Sequence, residues 1–500
     1  MQAVSHDTSV SNTSHKKSPG ALRRLTNNTL SILASDIVNR AATFVLYALV
    51  SRHLGAHEFG QMSLGLTFFQ TFQLLAVAGM QTLVTREVAK DRTQTNPYLI
   101  NGSLSIVLFS LLSMLLLLAV TWSMGYALDT TEVILLFSVS LFPYAISVLC
   151  DAVFQGWERM QYITYANVVV NIFKIAFAYY VLINGGGLVG LALILFGSHV
   201  AVLVVKWYLL QRNIIKPQFK FDMRFCWEMS KATLPFLGID GLIALMNAYL
   251  TITLSKMTSE VDVGLFSAAT QVLVPVGLIF QSVAISAFPI MSRRHKTNSN
   301  SGLKQISESL LELLLLIVVP TTVGLVFLSK PVLLLLYDNE SFVQATLALQ
   351  VIVWAMMLRV FTQVLGRVLV ASMQEKVTLR ILVVDSIVTV ILGIILIGRM
   401  GMVGAAWTTL IVRCVDFVQH YIPVRRSFGG NLALGSILWK PAIASAVMAV
   451  YLTIAGQQPL LVQIVVGATI YMGALSVLMA LTIGGPAQVK ARYLALASES

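Results

Sequence analysis

Charge is what this sequence has least of. Only 11% of its 500 residues are Asp, Glu, Lys or Arg, against 57% hydrophobic ones; soluble domains carry about 25% charged residues. With a mean hydropathy of +0.81, the chain cannot cover itself with water-compatible surface, and a soluble protein is excluded. Cysteine is nearly missing. Cys150, Cys226 and Cys414 have neither C-x-x-C nor zinc-ligand spacing, so neither a disulfide framework nor a metal site is expected. There is no Walker A loop, no H-E-x-x-H and no G-x-G-x-x-G. No cofactor is expected, the chain does not read as an enzyme, and an ATP-driven pump would lack its phosphate-binding loop. The first 28 residues have no apolar segment directly after their charges and no small-residue cleavage site. They read as a disordered cytoplasmic tail and not as a signal peptide.

What is present is a succession of apolar runs. A helix needs about 20 apolar residues to cross ~30 Å of hydrocarbon. Fourteen stretches qualify: 30–51, 59–80, 98–123, 132–154, 162–183, 188–210, 233–255, 264–290, 307–328, 342–371, 378–398, 401–421, 440–456 and 459–483. The net charge of +12 would suit nucleic acid, but the bases sit in short loops between the runs, so no nucleic-acid partner is expected. They act as topology signals. With loops assigned to alternating sides, 25 of the 34 bases fall on one side and only Arg52, Lys256, Lys330 and Arg399 on the other. The basic side is cytoplasmic, and it holds both termini. The chain is an all-α polytopic membrane protein with about 14 transmembrane helices.

The sequence also echoes itself. Displaced by 204 residues, Asp36 falls on Asp240, Ser51 on Ser255, Arg52 on Lys256, Glu58 on Asp262 and Gly60 on Gly264; displaced by 214, Gly187 and Gly190 fall on Gly401 and Gly404. Both matches place spans one to six on spans seven to twelve. Six is even, so both halves start on the same side, as in a parallel repeat about an axis along the membrane normal. The expected organisation is two pseudo-symmetric six-helix lobes plus a C-terminal helix pair. In residues it is a tail (1–28), an N-lobe (29–211), a cytoplasmic lobe linker (212–231), a C-lobe (232–428), the helix pair (429–486) and a second tail (487–500).

Ionisable side chains at the bilayer centre cost about 2.5–3.5 kcal/mol each on insertion scales, so those present mark surfaces that face protein or water. Asp36 and Arg40 are four apart, Arg413 and Asp416 three apart. Each pair shares a helix face and is either a local neutralisation or part of a site. Glu308 and Glu312 are like charges four apart, suited to a proton or cation unless that helix starts in water. Lys174, Arg359 and Arg367 have no acid three or four positions away on their own helices. Lys174 and Arg359, facing one cavity from two lobes, would hold a phosphate or diphosphate; alternatively they pair with Asp385, Asp240 or Asp36. The candidate substrate-binding bases are Arg40, Arg52, Lys174, Arg359, Arg367 and Arg413. The candidate ion-coupling acids are Asp36, Asp240, Glu308, Glu312 and Asp385, with sodium or a proton as the ion. Asn167 and Asn171 are either wet cavity wall or interhelical glue, and Pro235, Pro275, Pro289 and Pro320 are hinges or ordinary kinks.

Arg52-His53-Leu54-Gly55-Ala56-His57-Glu58-Phe59-Gly60, between two apolar helices, resembles the polysaccharide flippases (Wzx-type exporters) of the multidrug/oligosaccharidyl-lipid/polysaccharide exporter superfamily. Thr82-Leu83-Val84-Thr85-Arg86-Glu87, Phe154-Gln155-Gly156-Trp157-Glu158-Arg159 and Gly187-x-x-Gly190 fit the same pattern, which extends over residues 27–430. The resemblance implies alternating access and flipping of a lipid-linked oligosaccharide, usually on undecaprenyl diphosphate, across the bacterial inner membrane. Its implied partners are that substrate, membrane lipids and a polysaccharide polymerase working beside it. Many such proteins have twelve spans; fourteen resembles the lipid II flippase branch, whose extra pair is associated with the lipid tail. Two other readings compete. A multidrug/cation antiporter of the same fold should have an acidic, aromatic cavity. A membrane glycan polymerase commonly needs a large outer loop, and every predicted outer loop here is short.

Overall fold

A computed structural model describes residues 19–77, 79–280, 300–456 and 458–483, without the side chains of 19–29, 234–240, 300–301 and 375. The described chain is helical almost throughout. In lipid no water is at hand, so each backbone N–H and C=O must find a partner inside its own segment. Eleven helices are long and apolar enough to cross a membrane. Two of these hold two spans each. Pro19–Val77 leaves helical geometry at Gly55 (φ 85°) and Glu375–Phe428 at Gly401 (φ 56°), a left-handed backbone that glycine adopts without steric cost. With Met223–Met257 the described residues hold fourteen helical spans, the number read from the apolar runs. In chain order they are α1 (19–54), α2 (56–77), α3 (Thr95–Met124), α4 (Leu128–Gly156), α5 (Gln161–Ile183), α6 (Gly187–Asn213), α7 (Met223–Met257) and α8 (Glu260–Phe280). Then follow α9 (Asn300–Tyr337), α10 (Thr346–Ala371), α11 (375–400), α12 (402–428), α13 (Leu434–Ala455) and α14 (Leu460–Ile483). We call α1–α6 the N-lobe and α7–α12 the C-lobe. The end of the molecule that carries the 214–222 connection is the linker face; the opposite end is the far face.

The helices are inside-out by the standards of a soluble protein. On α3, Leu104, Leu108, Leu111, Leu112 and Leu115 are exposed, while Ser105, Ser110, Ser113 and Thr121 are buried. Lipid is as apolar as leucine, so leucine gains nothing by turning inward, and small polar residues let helices approach and bond. Ser113 donates to the Phe72 carbonyl of α2 at 2.8 Å.

One large hydrophobic cluster at the far face joins residues from both lobes, with Phe59, Tyr337 and Phe342 ring to ring at its centre. Towards the linker face the packing divides into two clusters. One holds Val84, Leu99, Leu149 and Phe154 of the N-lobe, the other Leu314, Val318, Val364 and Leu365 of the C-lobe. Among the described residues the core is thus continuous across the lobes at the far face and divided towards the linker face, where α7 joins the N-lobe cluster through Met229.

The 204-residue echo has a physical meaning at the fused end. A methyl group on Gly60 would overlap the Glu260 carbonyl, and one on Gly264 the Ala56 carbonyl, so α2 and α8 cross backbone to backbone at two equivalent glycines. Arg52 donates to the carbonyls of Leu335 and Leu336 at 2.8 and 3.1 Å, the last turn of α9. Its counterpart Lys256 donates to Met124 O, the last carbonyl of α3, at 2.6 Å. Each lobe therefore caps a helix C-terminus of the other with a cation, where unpaired carbonyls and the helix dipole favour positive charge.

The C-terminal pair packs on α9. Pro320 lies inside α9 and, having no N–H, leaves the carbonyl four residues back without its helical partner. That carbonyl is Leu316 O, and the Tyr471 hydroxyl of α14 donates to it at 2.7 Å.

Candidate functional site

Where the lobes part, α1 of the N-lobe and α8, α10 and α12 of the C-lobe enclose a cavity of about 240 Å³. Three guanidinium groups line it: Arg40, Arg359 and Arg413, with Gln363 and Thr409 as neutral polar neighbours. Arg40 Nε bonds both carboxylate oxygens of Asp36, at 3.1 and 3.2 Å. Arg413 Nη1 bonds Asp416 Oδ2 at 3.0 Å. Arg359 forms no ion pair among the described residues. Arg40 and Arg413 thus each have a carboxylate, and Arg359 adds a guanidinium without one among the described residues. In a low-dielectric site such guanidinium forks suit an anion with several oxygens.

Asp416 is 4% exposed and does more than neutralise Arg413. Its other oxygen accepts from His420 Nδ1 at 2.8 Å. Beside it, Gln419 Nε2 donates to Asp385 Oδ1 at 2.8 Å, tying α12 to α11. Asp385 thus meets Gln419, not Lys174 or Arg359. His420 and Gln419 were not among the candidates. The spacing 413, 416, 420 on one helical face was the signal available for the histidine.

The remaining candidates lie elsewhere. Lys174 lines a separate pocket of about 10 Å³ inside the N-lobe, among Leu46, Met62 and Phe137, and so does not face Arg359. Arg52 is the far-face cap described above. Arg367 lies about two turns beyond Arg359 on α10 and does not line the cavity. Glu308 accepts the Ala433 backbone N–H at 2.9 Å, just before α13, with Lys304 at 4.0 Å; Glu312 is one turn further along α9. The Asp240 side chain, with Pro235 and Pro289, lies outside the described residues. Asn167 and Asn171 are glue. Thr164, Asn167 and Asn171 of α5 donate to Ser31 O, Ser35 Oγ and Asn39 Oδ1 of α1 at 2.6–2.7 Å. Lys206 is a buried base near the linker-face end of α6. It is 3% exposed and pairs with Asp151 of α4 at 2.7 Å.

The chain matches the family model described as polysaccharide biosynthesis protein over residues 25–295, and that described as lipid II flippase MurJ over 216–481, which includes the C-terminal pair. It is 24% identical over 407 residues to the probable low-salt glycan biosynthesis flippase Agl15 of Haloferax volcanii, covering 79% of this chain and 82% of that protein. It is 19% identical over 399 residues to the capsular polysaccharide biosynthesis protein CapF of Staphylococcus aureus, covering 79% and 98%. Its fold is similar to that of the lipid II flippase MurJ in an inward closed conformation (TM-score 0.74, 15% identity, 90% of this chain and 99% of that one). It is also similar to an inward-facing multidrug resistance MATE family transporter of the MOP superfamily (TM-score 0.65, 15% identity, 79% and 98%).

Proposed function

This chain belongs to the polysaccharide biosynthesis protein family, the Wzx-type flippases of the multidrug/oligosaccharidyl-lipid/polysaccharide exporter superfamily, and from that premise we propose that it flips an oligosaccharide repeat unit linked to a polyprenyl diphosphate across the bacterial inner membrane. The observation that carries the substrate class is the cavity between the lobes, where Arg40, Arg359 and Arg413 converge and Arg359 has no ion pair among the described residues. A diphosphate crossing the bilayer midplane loses its hydration. Guanidinium forks supplied by both lobes replace part of it, which is how a fixed basic cavity lowers the barrier. The excess of bases in the linker-face loops supports a cytoplasmic linker face. The far-face fusion and the divided linker-face cores then suit a state that loads from the cytoplasm and must part the Gly60–Gly264 crossing to release.

The same fold serves multidrug transport, and Asp385, Asp416 and His420 would suit a proton or sodium ion beside the cavity. A cationic drug, however, would meet an uncompensated guanidinium there. Purified protein in proteoliposomes, assayed for transfer of a fluorescent polyprenyl-diphosphate sugar and for uptake of a cationic dye, separates the two. Lipid transfer without dye uptake is expected, and dye uptake alone would overturn the assignment.

A further inference from the structure

The linker face of the N-lobe holds a second and larger cavity, about 730 Å³, between the start of α1, the start of α5 and the turn before α3. Arg92, Trp157, Glu158, Arg159, Gln161 and Tyr165 line it. The wall is built, not casual. The Trp157 indole N–H donates to Thr95 Oγ1 at 2.9 Å, and that hydroxyl donates to Arg92 O at 2.6 Å. Thr95 is fully buried, and the Arg92 guanidinium lies 4.9 Å from the centroid of the indole ring. The turn that carries Trp157 is held by the N–H groups of Trp157, Glu158 and Arg159, which donate to Val153, Gln155 and Phe154 at 3.0, 3.0 and 2.8 Å. Glu158 sits left-handed at φ 56°.

The second repeat makes the same turn 215 residues later. Ser372, Met373 and Gln374 donate to Val368, Val370 and Leu369 at 2.9, 3.1 and 3.0 Å, and Met373 has φ 57°. The strained backbone therefore belongs to the common scaffold and says nothing of function by itself. The side chains differ. Where the C-lobe has Ser372-Met373-Gln374, the N-lobe has Trp157-Glu158-Arg159. Neither Arg92 nor Arg159 forms an ion pair among the described residues. Two unpaired guanidinium groups suit phosphate oxygens. Tryptophan and tyrosine beside them belong at the level of lipid head groups, and Glu158 and Gln161 can bond the hydroxyls of a sugar or glycerol.

We propose that this cavity docks the phosphorylated head group of a membrane lipid, with phosphate on Arg92 and Arg159 and hydroxyls toward Glu158 and Gln161. That docking precedes entry into the central cavity rests on the flippase reading; the phosphate site does not.

Native mass spectrometry of the full-length protein titrated with geranylgeranyl diphosphate tests it. The wild type is expected to bind two molecules. The Arg92→Ala/Arg159→Ala variant is expected to lose about tenfold or more in one step and to keep the step sensitive to Arg359→Ala, which also shows that the variant is folded. Unchanged stoichiometry and affinity in the double variant overturn the site. Loss of only the Arg359-sensitive step from the wild type bears instead on the proposed function. Repeating the titration with added phosphatidylglycerol identifies the source: displacement assigns the site to bulk anionic lipid, and persistence assigns it to the isoprenoid diphosphate.

Discussion

Arg359 is the one guanidinium of the central cavity that forms no ion pair among the described residues, so its charge suits a ligand. Replacing it with alanine is expected to slow lipid transfer by about 10–100-fold, the worth of one to two charge-assisted hydrogen bonds. Arg359→Lys should recover part of that loss, because an ammonium supplies the charge without the fork; transfer rates in proteoliposomes measure both. The buried Lys206–Asp151 pair behaves differently. Removing one member strands the other, at a cost of about 3–5 kcal/mol, whereas replacing both with apolar residues is often neutral. Lys206→Met is therefore expected to lower the thermal midpoint strongly and Lys206→Met/Asp151→Leu to restore most of it. Equal midpoints for the two variants would contradict the pairing.

At the scale of helices, Pro320 and Tyr471 form a coupled device. The proline removes an N–H from α9, and a tyrosine of the neighbouring α14 supplies a donor to the carbonyl left over. Tyr471→Phe is expected to destabilise the docking of α14 by about 1 kcal/mol. In a Pro320→Ala background the helix closes its own bond, and the same change should cost close to nothing; a double-mutant cycle of melting curves reads the difference. The two repeats also solve one problem with different residues. Where α1 ends, Gly55 turns the chain at φ 85°. At the equivalent position Ser259 is extended and its hydroxyl accepts the Asp262 N–H, an ordinary N-cap.

For the molecule as a whole, closure of the far face rests on reciprocal contacts: Gly60 against Gly264, Arg52 on α9 and Lys256 on α3. Arg52→Ala/Lys256→Ala is expected to loosen that end. A cysteine at Gln363 in the central cavity should then become reactive from outside intact cells, while in the parent it reacts only from the cytoplasmic side. The background must lack Cys414, which is exposed, whereas Cys150 and Cys226 are buried. In the same background, a cysteine at Asn184, in the far-face turn between α5 and α6, should react only from outside. Labelling from the cytoplasm alone would invert the assigned topology.

Hydropathy and spacing were enough for the all-helical class and the apolar spans, because lipid imposes one rule on every helix and the rule is written in composition. The segment Arg52 to Gly60 was legible as a repeated element, and Asp36 and Arg40 before it as sharing one helix face. Which charges meet was not legible. Arg40, Arg359 and Arg413 come from three helices and share no spacing, so only packing assembles them. Helix rotation alone sends Lys174 into a separate pocket, and the partner that makes Lys206 a buried residue lies 55 positions earlier. Even the repeat was partly hidden: Glu158 and Met373 occupy one backbone conformation with unrelated side chains. Identity survives where atoms touch across the axis, as at Gly60 and Gly264. It is lost where only the backbone must match, and there the two lobes were free to acquire different surfaces.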